Sequence, residues 1–403
     1  MTDLAIRPLT PADNGPDYFD LSIRAFGPQD EAIVRASLAA VVTGGRGLGA
    51  FDGGRLVGTA LFHDMRQWWY GKPVPMAGVA GVKVAPEYRG RGAGRALMTA
   101  LTGLMAERGY PLSALYAATM PIYRKLGWEL AGATYDAVLP ARALLDLARA
   151  AASPAGPIRR SGPADAAEVL EVVGKAHEQA RDCGPVTFDE PTMQRWLTAP
   201  GKYADSHKYA YLAPDGFAGY RWYGGGHEEI FVDRVLALTP ETTSALWSLI
   251  ASHSSVASRV RARVAPQDPL WWLLREQDAQ IAERDPWMLR LLDAPAAIAA
   301  RGFPPVDLTV PLEITDDLCP RNSGRWRLTV RSAKAQLLRT TGGEPSAVVE
   351  PALSVGARGL AALYAGTPVA TLRRAGLAAG GTREADAALD AAFAATPYML
   401  DGF

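Results

Sequence analysis

The 403-residue chain is poor in the groups that most directly betray a chemistry. It holds two cysteines, Cys183 and Cys319, far apart and in no CxxC or other ligand spacing, which argues against a disulfide scaffold and a cysteine-bound metal. Both read as free or buried thiols of a reducing compartment. The five histidines (His63, His177, His207, His227, His253) fall in separate segments without metal-ligand spacing, so no metal is expected. Lys plus Arg and Asp plus Glu both number 42; without a basic excess, neither nucleic acid nor an anionic membrane surface is an expected partner. Met1-Thr2-Asp3-Leu4 lacks the basic start and apolar stretch of a signal peptide, and no apolar run approaches a membrane span. A soluble, cytoplasmic protein without membrane insertion is expected, long enough for two or three domains with their own cores.

What is present concentrates in one stretch. Val82-Lys83-Val84 reads as a strand, Arg89-Gly90-Arg91-Gly92-Ala93-Gly94-Arg95 as a turn, and the residues up to Gly109 as an amphipathic helix. Closely spaced backbone N–H groups left uncovered by glycine, at the positive end of a helix, can hold a pyrophosphate. Arg89, Arg91 and Arg95 add charge for a phosphate-bearing ligand. The alternative is a surface turn with solvated arginines. No Gly-Lys-Ser/Thr follows, so this is not a Walker loop, and the glycine spacing differs from a dinucleotide fingerprint.

Arg89-x-x-Gly92-x-Gly94 after Val82-x-Val84 resembles the acetyl-CoA signature of the GCN5-related N-acetyltransferases (GNAT). Downstream, Leu112–Tyr116 reads as the next strand, and Pro121–Trp128 as a short helix closed by glycine. In that superfamily an Ile-Tyr-x-x-x-Gly-aromatic segment, here Ile122–Trp128, sits beside the cofactor thiol.

Before this turn, Leu4–Arg7 reads as a strand, Pro11-Ala12-Asp13 leads into a helix through Phe26, and Gly47–Phe51 with Leu56–His63 reads as a hairpin around Asp52-Gly53-Gly54-Arg55. After a linker at Ser153–Pro157 the chain begins again: Ile158-Arg159 and Pro163-Ala164-Asp165 repeat Ile6-Arg7 and Pro11-Ala12-Asp13, 152 residues further on. The second copy carries Glu241-Thr242-Thr243-Ser244 where the first has its glycine turn, so it is expected to be catalytically silent. Trp287–Asp293 reads as its last strand. Beyond Gly302-Phe303-Pro304-Pro305, Val306–Ile314, Gly324–Val330, Ala333–Arg339 and Ala347–Glu350 read as strands, and Leu353–Tyr364 and Thr382–Ala395 as helices. The organisation is α/β (α+β): a cofactor domain over 1–152, a degenerate copy over 158–300 and a small α+β domain over 304–403.

Over essentially its whole length the chain resembles the Eis (enhanced intracellular survival) family of acetyltransferases, most tellingly in Val82–Met98, Ile122–Trp128, Trp287–Asp293, Leu360–Gly366 and Tyr398–Phe403. The resemblance implies two tandem GNAT-like domains, a sterol-carrier-like third domain, a homo-hexamer, and acetylation of primary amines on multi-amine small molecules such as aminoglycosides, with acetyl-CoA as co-substrate. Protein or peptide lysines are an alternative acceptor; a non-catalytic lipid- or CoA-binding protein is the reading from another class. By resemblance, backbone at Val82, Lys83 and Val84 pairs with the pantetheine arm, and residues from Arg89 to Arg95 take the pyrophosphate. Tyr123 matches the general acid, and the Phe403 α-carboxylate the general base. At Ala118 family members carry a hydroxyl near the cofactor; here the nearby hydroxyl is that of Thr119. Asp401 is the tail carboxylate expected to meet the substrate.

An unperturbed phenol titrates near ~10 and stays protonated at neutral pH, whereas a terminal carboxylate near ~3.5 is a weak base for an ammonium near ~9. Burial, a water relay or a lowered local cost of deprotonation would have to assist it. The clusters Trp68-Trp69-Tyr70, Tyr220–Tyr223 and Trp271-Trp272 suit a cavity, a core or a subunit interface.

Overall fold

The computed structural model describes residues 4–150, 156–198, 207–223, 228–340 and 351–403. Most of the expected linker and the expected strand Ala347–Glu350 lie outside the described residues. The first stretch of chain supplies strands β1 (Ala5–Pro8), β2 (Gly47–Asp52), β3 (Arg55–Trp69), β4 (Lys72–Val84), β5 (Leu112–Tyr116) and β6 (Glu129–Pro140). The second supplies β7 (Arg159–Ser161), β8 (Val186–Thr187), β9 (Lys208–Ala213), β10 (Gly216–Tyr223), β11 (Glu229–Ala237), β12 (Arg259–Arg263) and β13 (Gln280–Leu291). The third supplies β14 (Leu308–Thr315), β15 (Gly324–Arg331), β16 (Lys334–Arg339), β17 (Leu353–Gly356) and β18 (Ala378–Gly380).

The internal repeat has a physical counterpart. Arg7 pairs with Asp13 at 2.8 Å, and Arg159 with Asp165 at 2.8 Å. Each carboxylate also accepts a backbone N–H at 2.7 Å, from Thr10 and Gly162. The turn is thus built twice with the same bonds. Strand order repeats too: β1-β2-β3-β4-β5 in one copy, β7-β9-β10-β11-β12 in the other. In both, the last of the five runs parallel to its predecessor.

The final strands are exchanged. β13 lies between β5 and β6 and pairs antiparallel with both, while β6 pairs with β12 on its other edge. Trp287–Asp293 therefore completes the first copy's sheet, not its own. One continuous sheet results, because each copy borrows the strand that closes it. Two copies joined in this way cannot separate without breaking a ladder of backbone hydrogen bonds.

The third unit orders its strands β16-β15-β14-β17-β18. Its core is continuous with the large sheet: Trp69 meets Tyr364 edge-on at 4.9 Å and Trp287 at 6.3 Å. Arg301, fully buried, stands over the rings of Trp69, Phe303, Tyr364 and Phe393, between 4.8 and 5.4 Å from their centroids. A buried ion pair, Arg290–Asp316 at 2.6 Å, ties β13 to the segment after β14. The reading of Leu353–Tyr364 as one helix is corrected. Leu353 and Val355 are buried and Ser354 is not, a two-residue alternation that β17 satisfies by pairing parallel to β14; the helix starts at Ala357.

Candidate active site

β4 begins paired on both edges and ends paired on one. Its ladder to β5 runs from Met76↔Leu112 to Val79↔Leu115 and stops, whereas its ladder to β3 continues to Gly58↔Val84. β4 and β5 thus part like a fork beyond Val79. Ala85 N–H donates to Val57 O at 2.8 Å. Hydrogen-bonded positions alternate along an antiparallel pair, so Lys83 directs its backbone groups to β3, and Val82 and Val84 direct theirs into the fork. A register shift between Thr59 and Leu61, with Gly81 at φ +56°, bends the strand there.

Past the fork the chain turns through Gly90 (φ +76°) and Gly92 (φ +89°), conformations that a side chain would strain. Gly92 starts the helix Ala93–Glu107 without a side-chain cap. A Cβ on Gly94 would stand 3.3 Å from Ile122 Cδ1, so glycine lets the helix close on the next motif. Arg89, Arg91 and Arg95 are exposed along this turn, and Arg89 Nε donates to Val84 O at 3.2 Å. Open backbone donors, an uncapped helix start and three arginines fit a pyrophosphate. The Lys83 side chain points elsewhere: buried, it donates to Ser22 Oγ and lies 3.8 Å from the Tyr18 ring centroid. Burial pushes its pKa down to about 8.

The second copy fills the equivalent place with its own groups. Thr239 caps the helix Pro240–Ala251, and the Thr239 and Thr242 hydroxyls each donate to Asp215 at 2.6 Å. A carboxylate beside a capped helix start is the wrong receptor for a pyrophosphate.

Tyr123 lies on the helix Met120–Lys125, buried in the cluster that includes Val79, Leu97 and Leu115, with Val82, Val84 and Ile122 packed against it. Burial raises its phenol above the ordinary value. Ala118 and Thr119 are exposed between β5 and this helix, and Thr119 starts the helix without a side-chain cap bond.

The C-terminal tail reaches the same fork. Tyr398 N–H donates to Cys183 O at 3.0 Å, and Met399 N–H to Ala133 O at 3.1 Å. Arg263 then holds Leu400 O at 3.1 Å, and Tyr116 OH holds Asp401 O at 2.7 Å. The Phe403 ring packs edge-on to Tyr116, the last residue of β5, with centroids 5.5 Å apart. A Cβ on Gly78 of β4 would stand 2.9 Å from that ring. Phe403 therefore sits where the two strands separate. Asp401, only 6 % exposed, gives its carboxylate to Arg234 of the second copy. It anchors the tail and is absent from the lining of the cavity.

That cavity, of 560 Å³, lies between the helix Glu31–Thr43, β3 at His63–Met65, the helix Glu190–Thr198, Lys208 and the tail at Gly402–Phe403. Its groups come from positions far apart in sequence, and apart from Phe403 none carries a local motif, which is why reading along the chain missed the others. Among the expected aromatic clusters, Trp69 and Tyr220 are core and Trp272 is 72 % exposed; the cavity uses Phe188 and Trp196 instead.

Comparison with known proteins agrees with this architecture. Residues 5–131 match an acetyltransferase (GNAT) domain family, residues 187–291 another acetyltransferase (GNAT) domain family, and residues 294–400 a sterol carrier protein domain family. The N-acetyltransferase Eis of Mycobacterium tuberculosis is 30% identical over 348 residues, covering 81% of this chain and 83% of its own. The crystal structure of a GCN5-related N-acetyltransferase from Kribbella flavida superposes with TM-score 0.89 at 42% identity, covering 100% of this chain and 98% of that one. Eis1 from Mycobacterium abscessus gives TM-score 0.77 at 26% identity, with 99% and 100% covered. With two GNAT domains followed by a sterol-carrier-like domain, and a relative matched over most of both lengths, the chain belongs to the Eis-like N-acetyltransferases and is an acyltransferase.

Proposed function

We propose that this enzyme transfers the acetyl group of acetyl-CoA to a primary amine of a small molecule, in the fork between β4 and β5. The observation that carries the reading is the ladder that stops at Val79, with Tyr123 packed along one side of the opening and Phe403 at its apex. Acetyl-CoA supplies the activated thioester. Backbone donors at Val82 and Val84 align it, the turn from Arg89 to Arg95 holds its phosphates, and the Val82 N–H polarises the carbonyl. Tyr123 donates the proton that the leaving thiolate needs; its raised pKa keeps it protonated at neutral pH. The α-carboxylate of Phe403 takes the proton from the incoming amine.

Aminoglycosides are the acceptors that the resemblance implies, and two carboxylates, Asp64 and Asp189, stand on the cavity wall. Hexameric assembly belongs to the same proposal, and light scattering tests it. The deciding experiment is release of CoA thiol from acetyl-CoA by untagged protein, against aminoglycosides, simple amines and lysine peptides. Turnover is expected with at least one small amine, with large losses in Tyr123→Phe and on deletion of Phe403. Acetyl-CoA binding without turnover of any amine, or full activity in both variants, refutes the assigned roles.

A further inference from the structure

The cavity at the fork is lined by three cationic side chains and two carboxylates. Arg46, Arg195 and Lys208 all face it; among the described residues Arg46 and Arg195 have no carboxylate partner, while Lys208, which burial pushes down to about 8, feels the Asp233 and Asp401 carboxylates. Arg46 donates to Ala40 O at 3.2 Å and keeps a buried Nε without any acceptor. Arg195 reaches the Thr192 hydroxyl at 2.6 Å. Lys208 lies 4.2 Å from the Trp196 ring centroid. The two carboxylates on the wall are already engaged or set aside: Asp189 caps the helix Glu190–Thr198 through Thr192 N–H at 2.9 Å, and Asp64 stands beside the Tyr110 phenol. His63 is held below its ordinary pKa by burial, then by Arg46 and Arg195, so at neutral pH it adds no further positive charge. Met65, Phe188 and Trp196 supply an apolar wall between these charges.

We propose that the acceptor carries a carboxylate beside its amine: an amino acid with an aromatic or similarly apolar body, its carboxylate received by Arg46, Arg195 and Lys208. The inference rests on the acetyl-transfer reading and narrows its substrate. A guanidinium that lacks a partner offers parallel N–H donors to a carboxylate, whereas like charge repels a polycation. The amine nitrogen forms the new C–N bond, the C–S bond of the thioester breaks, the thiolate takes one proton and the amine loses one. The carboxylate passes through unchanged.

Matched pairs that differ by one carboxylate test this: phenylalanine against phenethylamine, and tryptophan against tryptamine. The amino acids are expected to show kcat/KM at least tenfold higher, and that ratio to fall toward one in Arg195→Gln, Lys208→Gln and the charge-reversed Arg195→Glu. Arg195 is exposed and, among the described residues, in no ion pair, so its variants should fold; thermal melting checks this. Calorimetry with 3-phenylpropionate, which has the carboxylate and no amine, separates the two proposals. Binding that weakens tenfold in the variants, with every amine silent, upholds the carboxylate site and refutes acetyl transfer to amines. Turnover indifferent to the carboxylate, or faster with aminoglycosides than with either amino acid, overturns the substrate class and leaves acetyl transfer standing.

Discussion

Asp401→Asn should uncouple the tail from the active site while leaving the fold in place. Arg234 is 1 % exposed, its Nε has no acceptor, and Asp401 is its ion-pair partner. Removing one member of a buried pair costs about 3–5 kcal/mol, because the other charge stays desolvated and uncompensated. Asn keeps an acceptor, so the lower figure applies. About 3 kcal/mol corresponds to a shift of roughly 160-fold in the docking equilibrium of the tail. Beyond Met399 the hydrogen bonds that remain are the Tyr116–Asp401 O bond, worth about 1 kcal/mol, and the charged Arg263–Leu400 O bond, worth about 1.5–3 kcal/mol. These are of the same size as the loss, so Phe403 should spend much of its time away from the fork. The expected result is a kcat lower by about tenfold to a hundredfold, nearly unchanged acetyl-CoA affinity, and faster removal of Phe403 by carboxypeptidase. Arg234→Gln combined with Asp401→Asn deletes both charges and should recover most of the lost activity, a non-additivity that only a direct pair produces. If the single variant is as active and as protease-resistant as the parent, or the double variant is worse than the single, the tail is not held by this ion pair.

Tyr123→Phe keeps the buried ring and loses the proton, so kcat should fall by about 10²–10⁴ with the melting temperature nearly unchanged, measured by single-turnover acetyl transfer. Gly92→Ala forces a side chain onto φ +89° at a cost of about 1–2 kcal/mol, which should weaken acetyl-CoA binding roughly tenfold by calorimetry without altering the preference among amines. Gly78→Ala puts a Cβ 2.9 Å from the Phe403 ring and should lower kcat by moving the tail; unchanged kinetics would place the ring elsewhere. Lys83 is depressed from its ordinary value to about 8 by burial, so between pH 8 and 10.5 the folded chain holds fewer protons than the unfolded one, and stability rises with pH across that window. Lys83→Met should therefore raise the melting temperature at pH 7 and raise it less at pH 10; equal shifts at the two pH values would refute the account.

Much of the first domain is a matter of local chemistry and was legible as such. The turn from Arg89 to Arg95 needs glycine where φ is positive, Leu112–Tyr116 is the strand read from its residues, and Gly127 (φ +93°) closes the helix that bears Tyr123. The repeat was readable for the same reason: Arg7 with Asp13 and Arg159 with Asp165 lie six residues apart and bond within one turn. The loss of the glycines from the second copy was visible, although not that Asp215 would take the vacated place by accepting from two threonines.

Long-range pairing was decided in three dimensions. Alternation marks a strand and says nothing about which edge it will join, so the exchange of β6 and β13 could not be read from either one. The cavity at the fork is the strongest case. Arg46, His63, Arg195 and Lys208 are ordinary residues at unrelated positions, and each would pass as a solvated charge or a core ring; Phe403 alone was marked, by the family resemblance. The sequence by itself determined where a pyrophosphate could be held, because neighbouring residues do that. Only the tertiary structure decided what stands around Phe403: that wall is assembled from two helices, two strands and the tail, and its charge is a property of their packing.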